Sequence, residues 1–423
     1  MTRIDLHGQT PYAGSPEPAA AACNSVAGSE PETLERRLRR SFDQVASFTI
    51  GVEEELLLVD PETQEPLDAA DLALAFSEGD SRVSCELRAS QLELVTPICV
   101  SVDEVERELS SIRRLLAARL AGTASLLGSG THPLAHRPGA LTCRPRYQQL
   151  AAANPWAAQH VLTCGLHVHV AVGGAERTLA VYNALRGYLP EIVALAANAP
   201  IFHGQDSGLA TVRPKLNQCW SRAGVPPAFA SWHEVADFAL WARRGGAFPD
   251  ETHQWWELRL RPCYGTIEVR AADTQTRVED SATVAALIHS LVFELASRYD
   301  AAELAPAASH ERIVENSWLA TRDGLKGSLI DLRTGERVLT ADRLLALAER
   351  LLPAATALGA DRELLGIGRI VLEGGGATRQ RRAFHESTPT AAVAQLAAET
   401  ITPGSARLAT SAPDGAPALV TNG

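Results

Sequence analysis

The stretch FTIGVEEELLLVD, residues 48–60, constrains the chain most, because it sets three carboxylates inside a run that is otherwise apolar. Such a run reads as a covered strand. Side chains alternate along a strand, so Glu53 and Glu55 share one face with Leu57 and Val59, while Glu54 joins Ile50, Val52, Leu56 and Leu58. The Cα atoms of Glu53 and Glu55 then sit roughly 6.5–7 Å apart. Buried carboxylates that close need cations, protons or donors to offset desolvation and repulsion. A pair of metal ions would suffice; a solvated acidic strand end is the plainer explanation of the triplet taken alone.

With 423 residues, 46% hydrophobic and 21% charged, the chain can bury a large core and reads as a globular soluble protein. Its net charge of −11 offers no global field for nucleic acid and leaves anionic substrates dependent on local cations. Positive charge is nearly all arginine. Lys215 and Lys326 are the only lysines and neither lies in GxxxxGK[ST], which excludes a P-loop. Seven scattered cysteines without a CxxC pair suit reduced thiols and a cytoplasmic setting. With no apolar leader and no apolar segment of bilayer length, neither secretion nor membrane insertion is expected.

Residues 1–32, rich in Ala, Pro, Gly and Ser, are expected to be a disordered extension, with structure beginning in a short helix at Thr33. Residues 82–97 follow as a strand whose second half carries Glu93. Ser101 and Glu104 have the spacing of a capping box before a core-packing helix, and Ser231 with Glu234 repeats it. A long irregular stretch carries Arg144, Arg146, Tyr147 and Trp156. Then residues 163–172, TCGLHVHVAV, alternate, so His167 and His169 project together. A single helix is expected over residues 176–197. In residues 265–271, Ile267, Val269 and Ala271 line one face and leave Thr266, Glu268 and Arg270 on the other. Helices near residues 280–299, 310–322 and 341–358 close the globular part, with Pro353 expected to kink or break the last. From residue 385 the Ala, Thr, Pro and Ser content predicts a disordered tail, leaving one domain over residues 33–384. The uneven alternation of helices and strands suits an α+β domain with a largely antiparallel sheet.

Four strands thus carry polar groups on alternating positions: Glu53 and Glu55, Glu93, His167 and His169, Glu268 and Arg270. Each pattern alone is weak, since an HxH is commonly two partly exposed histidines and an ExR a surface ion pair worth little. Together they argue for function, because a half-buried sheet rarely commits so many positions to carboxylate, imidazole and guanidinium. Carboxylate-rich ligation with few imidazoles suits Mg²⁺ or Mn²⁺ better than zinc, and an arginine among such ions suits phosphate.

GVEEELLLVDP at 51–61, SQLELVTP at 90–97, CGLHVHVAV at 164–172, THQWWELR at 252–259 and GTIEVRAADTQTRVED at 265–280 resemble the type 2 glutamate-cysteine ligases, or carboxylate-amine ligases. ENSWLATRDGL at 315–325 and GGGATRQR at 374–381 extend the resemblance. That family's catalytic domain is similar to glutamine synthetase's, which implies a funnel of curved antiparallel sheet flanked by helices. The resemblance implies ATP as co-substrate and two or three divalent cations. Glu55 and Glu93 would hold one cation, Glu53, His167 and Glu268 another, while His169 and Arg270 face the ATP phosphates. Glu86 lies seven residues before Glu93, a separation related ligases use for two ligands, yet an unbroken strand would put the two on opposite faces.

The activity implied is ATP-dependent formation of a carbon-nitrogen bond: a carboxylate, in this family glutamate, becomes an acyl phosphate that an amino-acid amine, cysteine, attacks, with release of ADP and phosphate. Arg270, Glu53 and Glu268 would carry the catalysis. Arg146, Arg213, Arg259 and Arg322 are candidates to clamp a substrate carboxylate. Expected partners are small molecules, with neither nucleic acid nor membrane among them, and a homo-oligomer is compatible with this reading. The rival reading is a metal-dependent hydrolase built on the HxH and glutamate cluster.

Overall fold

The computed structural model describes residues 31–248 and 253–402. Residues 1–30 and 403–423, most of the two stretches expected to be disordered, lie outside the described residues.

Seven strands form the main sheet: β1 (Ile50–Val59), β2 (Val83–Cys85), β3 (Gln91–Val95), β4 (Ser125–Leu127), β5 (Gly165–Ala171), β6 (Leu258–Arg261) and β7 (Thr266–Asp273). Their order is β6-β7-β5-β1-β3-β2, with β4 also on β1, and every pairing is antiparallel. The α+β class and the antiparallel sheet expected from the sequence are both found. β1 is central because it is apolar enough to be covered on both faces: Leu56, Leu57, Leu58 and Val59 are fully buried.

One face of the sheet packs on helices. Ile50, Val52, Val168, Val170, Ile267 and Val269 belong to the same core as α2 (Val278–Asp300), a helix buried nearly all round. Leu56, Leu58, Leu92 and Leu94 meet Ile112 and Leu116 of α1 (Val102–Arg119). Glu54 points into this face and is fully buried. Its carboxylate meets Arg113 of α1 at 2.7 Å and accepts from Ser281 of α2 at 2.7 Å. Arg113 also donates to the carbonyls of Gln275, Thr276 and Thr400. The middle glutamate of the triplet is therefore a structural knot between sheet and helices.

Ser101 and Ser231 cap their helices as their spacing predicts, each accepting from the backbone N–H three residues on. Other expectations are corrected. Residues 82–97 are two paired strands, β2 and β3, separated by a turn. The long irregular stretch contains helices Pro145–Ala153 and Pro155–His160, each with a proline in its opening turn, where a missing N–H breaks no bond. The helix expected over 176–197 is interrupted by a 3₁₀ turn at Arg186–Tyr188, and Pro190 opens its second half, Leu189–Ala196. Conversely, Thr340–Leu358 runs through Pro353, held on both sides by buried Leu347, Leu351, Ala354 and Ala355.

The tail assignment fails for residues 385–402. After helices Asp361–Glu373 and Gly375–Glu386 comes α3 (Pro389–Ile401), capped by Thr388. Its Val393 and Leu396 pack with Leu57, Val59 and Leu127, so α3 covers the polar-bearing face of β1 beyond Glu55. Thr400 accepts from Gly128 N at 3.0 Å. Cys85, Cys99, Cys143, Cys164 and Cys219 are free thiols.

Candidate active site

The strand registers decide which side chains meet. Glu53 lies opposite His167, Glu55 opposite Glu93, and Glu268 opposite His169. Directly opposed residues share a face, so Glu53, Glu55, Glu93, His167, His169 and Glu268 project together, as the alternation requires. A bulge between Val269 and Ala272 follows, and Arg270 sits in it. From there its Nη1 reaches Glu268 Oε1 at 2.5 Å and His167 Nδ1 at 3.1 Å.

Three groups bring ligand atoms within 4.8 Å of one another: Glu53, Glu93 and His167; Glu53, His169 and Glu268; and Glu55, Glu86 and Glu93. This partition differs from the expected one in two ways. His169, rather than His167, joins Glu53 and Glu268, because the β5–β7 register places it directly across from Glu268. Glu86 joins Glu55 and Glu93. The sequence argument against it assumed one unbroken strand, whereas the turn between β2 and β3 returns Glu86 to the same side.

Glu268 is fully buried and ringed by three guanidinium groups. Arg259, opposite it on β6, binds bidentately at 2.9 and 2.7 Å, Arg270 closes at 2.5 Å, and Arg261 stands at 3.4 Å. Arg259, proposed for substrate from the sequence, is thus committed to Glu268 and to the Gln254 carbonyl. Arg261 was missed. The signal was available, since Arg259 and Arg261 are two apart in LRLR and so share a face.

Arg213 does reach the site. It is buried, donates to the Arg270 carbonyl at 3.2 Å, and crosses over Gly165, where a Cβ would overlap both its guanidinium and His167 Nε2. Gly165 N donates to Glu55 at 2.6 Å, so the glycine lets backbone and guanidinium approach the carboxylate together. Arg146 is exposed, and its charge acts on Glu86. Arg322 joins none of these groups: it is exposed at the end of helix His310–Asp323, paired with the adjacent Asp323 at 2.7 Å beside Trp318. Its neighbour in sequence takes the charge that a substrate would need.

The electrostatics divide the cluster. Burial raises Glu268, but Arg259, Arg270 and Arg261 outweigh it and hold the acid well below its ordinary range. Burial raises Glu53 likewise, and the His169 charge with hydrogen bonds from both imidazoles more than reverses it. The other half lacks such compensation. Burial, then crowding by Glu53, Glu86 and Glu55, pushes Glu93 well up, and burial with Glu86 pushes Glu55 to about 7. His167 is driven down to about 3 by burial and by Arg270, so its imidazole is neutral and free to bind a cation. Buried His167 Nε2 has no hydrogen-bond partner. Crowded carboxylates short of positive charge, beside this orphaned imidazole nitrogen, form a donor set that fits a hard divalent cation.

Two solved structures share the fold. A glutamate-cysteine ligase from Francisella tularensis, in complex with AMP, matches with a TM-score of 0.62 over 84% of this chain and 88% of its own, at 11% identity. A bifunctional glutathione synthetase from Pasteurella multocida matches with a TM-score of 0.57 over 88% of this chain and 54% of its own, at 16% identity. The family match and the relatives' sequences place the chain among the carboxylate-amine ligases. The model of glutamate-cysteine ligase family 2 matches residues 49–402, and the chain belongs to that family. A Rubrobacter xylanophilus relative, named as a candidate glutamate-cysteine ligase 2-3, is 38% identical over 350 residues, 80% of this chain and 93% of the relative. A Mycobacterium ulcerans relative, named as a candidate glutamate-cysteine ligase 2, is 33% identical over 354 residues, 82% of this chain and 89% of the relative.

Proposed function

We propose that this ligase joins glutamate, through a carboxylate activated by ATP, to the amine of cysteine, releasing ADP and phosphate in a cytoplasmic setting. The observation that carries the reading is the meeting of Glu55, Glu86 and Glu93 with Glu53, His167 and His169 on one sheet face. These side chains would hold Mg²⁺ or Mn²⁺. When bound, the cation neutralises triphosphate charge and helps align it for attack.

The chain's own residues supply the rest. Glu268 and His167 hold one edge of the Arg270 guanidinium, which leaves its other N–H donors for charge spread over a transferring phosphoryl group. Arg261, stacked over Tyr264 at 5.4 Å, adds a second positive group on that side. Arg213, buried beside Glu55, is the substrate-carboxylate clamp best supported by position, with Arg146 at the rim. Family membership favours this reading over the metal-dependent hydrolase, which needs no nucleotide.

Incubation with ATP, Mg²⁺ and a panel of acids and amines, following ADP and product mass, tests the proposal. ADP release should require both an acid and an amine. Glu53→Gln and Glu93→Gln should lower it by about two orders of magnitude or more, without loss of circular dichroism. Hydrolysis of an amide in the absence of nucleotide would contradict the reading.

A further inference from the structure

Glu257 stands on the site side of the sheet and has no role in the account above. In β6, Leu258 opposes Val269 and faces the core, while Arg259 opposes Glu268 and faces the site. One step back, the Glu257 carbonyl accepts from Arg270 N at 2.7 Å, so Glu257 lies across from Arg270 at the bulge. Trp256 packs against the core, which leaves Glu257 on the face of Arg259.

Among the described residues no donor reaches the Glu257 carboxylate, and its Oε2 is buried and unpartnered. The charges of Arg213 and Lys215 act on it, yet neither forms an ion pair with it. Burial raises the acid to about 7, so a cation arriving beside it would readily complete its ionisation. By contrast, every other carboxylate here is paired with arginine or histidine or belongs to the crowded Glu55, Glu86 and Glu93 group. Glu257 is the acidic acceptor left over on the arginine side of the site.

We infer that Glu257 receives the ammonium group of the amine substrate. This rests on the ligase reading, and elimination within that reaction supports it. A triphosphate and a substrate carboxylate are anionic and would be repelled by Glu257, while Arg213, Arg261 and Arg270 stand ready for them. Ammonium groups arrive at neutral pH on the amine and on glutamate's α-carbon, and of the two it is the amine nitrogen that must come to the activated carboxyl group beside Arg270, across from which Glu257 stands. A carboxylate with unused lone pairs in a partly covered recess binds the amine by charge-assisted hydrogen bonds and sets its nitrogen beside Arg270, where the activated acyl group would form.

The test compares wild type, Glu257→Gln and Glu257→Asp in the ADP-release assay, varying the amine at saturating ATP and acid. Hydroxylamine, uncharged at mildly alkaline pH, is used in parallel as an acceptor without an ammonium group. In Glu257→Gln the KM for the amine should rise about tenfold or more, against changes within about twofold for ATP and acid, and Glu257→Asp should recover part of the loss. Amide formation should fall by a larger factor than hydroxamate formation. An unchanged amine KM, or equal losses with amine and hydroxylamine, would overturn the assignment and leave the ligase reading standing. A wild-type protein that releases no ADP with any acid and amine would remove both.

Discussion

Neighbouring glutamates in one triplet have unlike fates. Glu53 and Glu55 enter the site, whereas Glu54 is neutralised by Arg113 beneath the sheet. Glu268 differs again, because its charge is balanced by three arginines rather than shared with other acids. Glu268→Gln should therefore destabilise the protein by about 3–5 kcal/mol in urea unfolding, since it leaves buried guanidinium charge uncompensated. Glu53→Gln should shift stability far less. A second prediction concerns pH. His132 is buried, its Nδ1 accepts from Leu134 N and Ala135 N, and burial lowers it from 6.5 to about 4. Because the unfolded chain binds the proton more readily, the stability His132 contributes is complete above about 6.5 and is lost as pH falls toward 4. The loss should be on the order of 3 kcal/mol, and His132→Asn should flatten the urea midpoint across that window.

At the level of elements, alternation within a strand was readable and the path between strands was not. The faces of β1, β5 and β7 follow from period-2 patterning, which is why Glu53, Glu55, His167, His169 and Glu268 fell together correctly. Glu86 was misplaced because a turn, not a residue pattern, decides its side. Residues 389–401 were misread because Ala, Thr and Pro dominate them, although Val393, Leu396, Ala397 and Thr400 recur at helical intervals. Composition outweighed period. Since Leu396 is 1% exposed among Leu57, Val59 and Leu127, Leu396→Ala should cost about 2–4 kcal/mol, measured by urea unfolding. Were α3 a loose appendage, the substitution would leave the midpoint unmoved.

For the molecule as a whole, family and reaction class were legible because the matching motifs lie on strands whose spacing fixes their geometry. Arginine roles were not, because Arg213, Arg259 and Arg322 differ only in what the tertiary fold sets beside them. No described helix is long and apolar enough to cross a membrane. If the crowded acids hold a divalent cation, Mg²⁺ binds the native state and not the unfolded one. Saturating Mg²⁺ at about 100 times its dissociation constant should then add roughly 2.7 kcal/mol, seen as a raised Tm. EDTA should reverse the shift, and Glu93→Gln should weaken it. A Tm indifferent to Mg²⁺ in wild type would count against the cation site.

Because β1 leans on β3 from one side and on β5 from the other, its neighbours arrive at very different times during synthesis. Some 110 residues separate the first acids from the histidines opposite them, and about 100 more precede Glu268. Until translation delivers the later strands, the earliest glutamates sit on an open edge without partners. A product that stops short of β7 would own no usable pocket, and maturation of the enzyme waits on that strand.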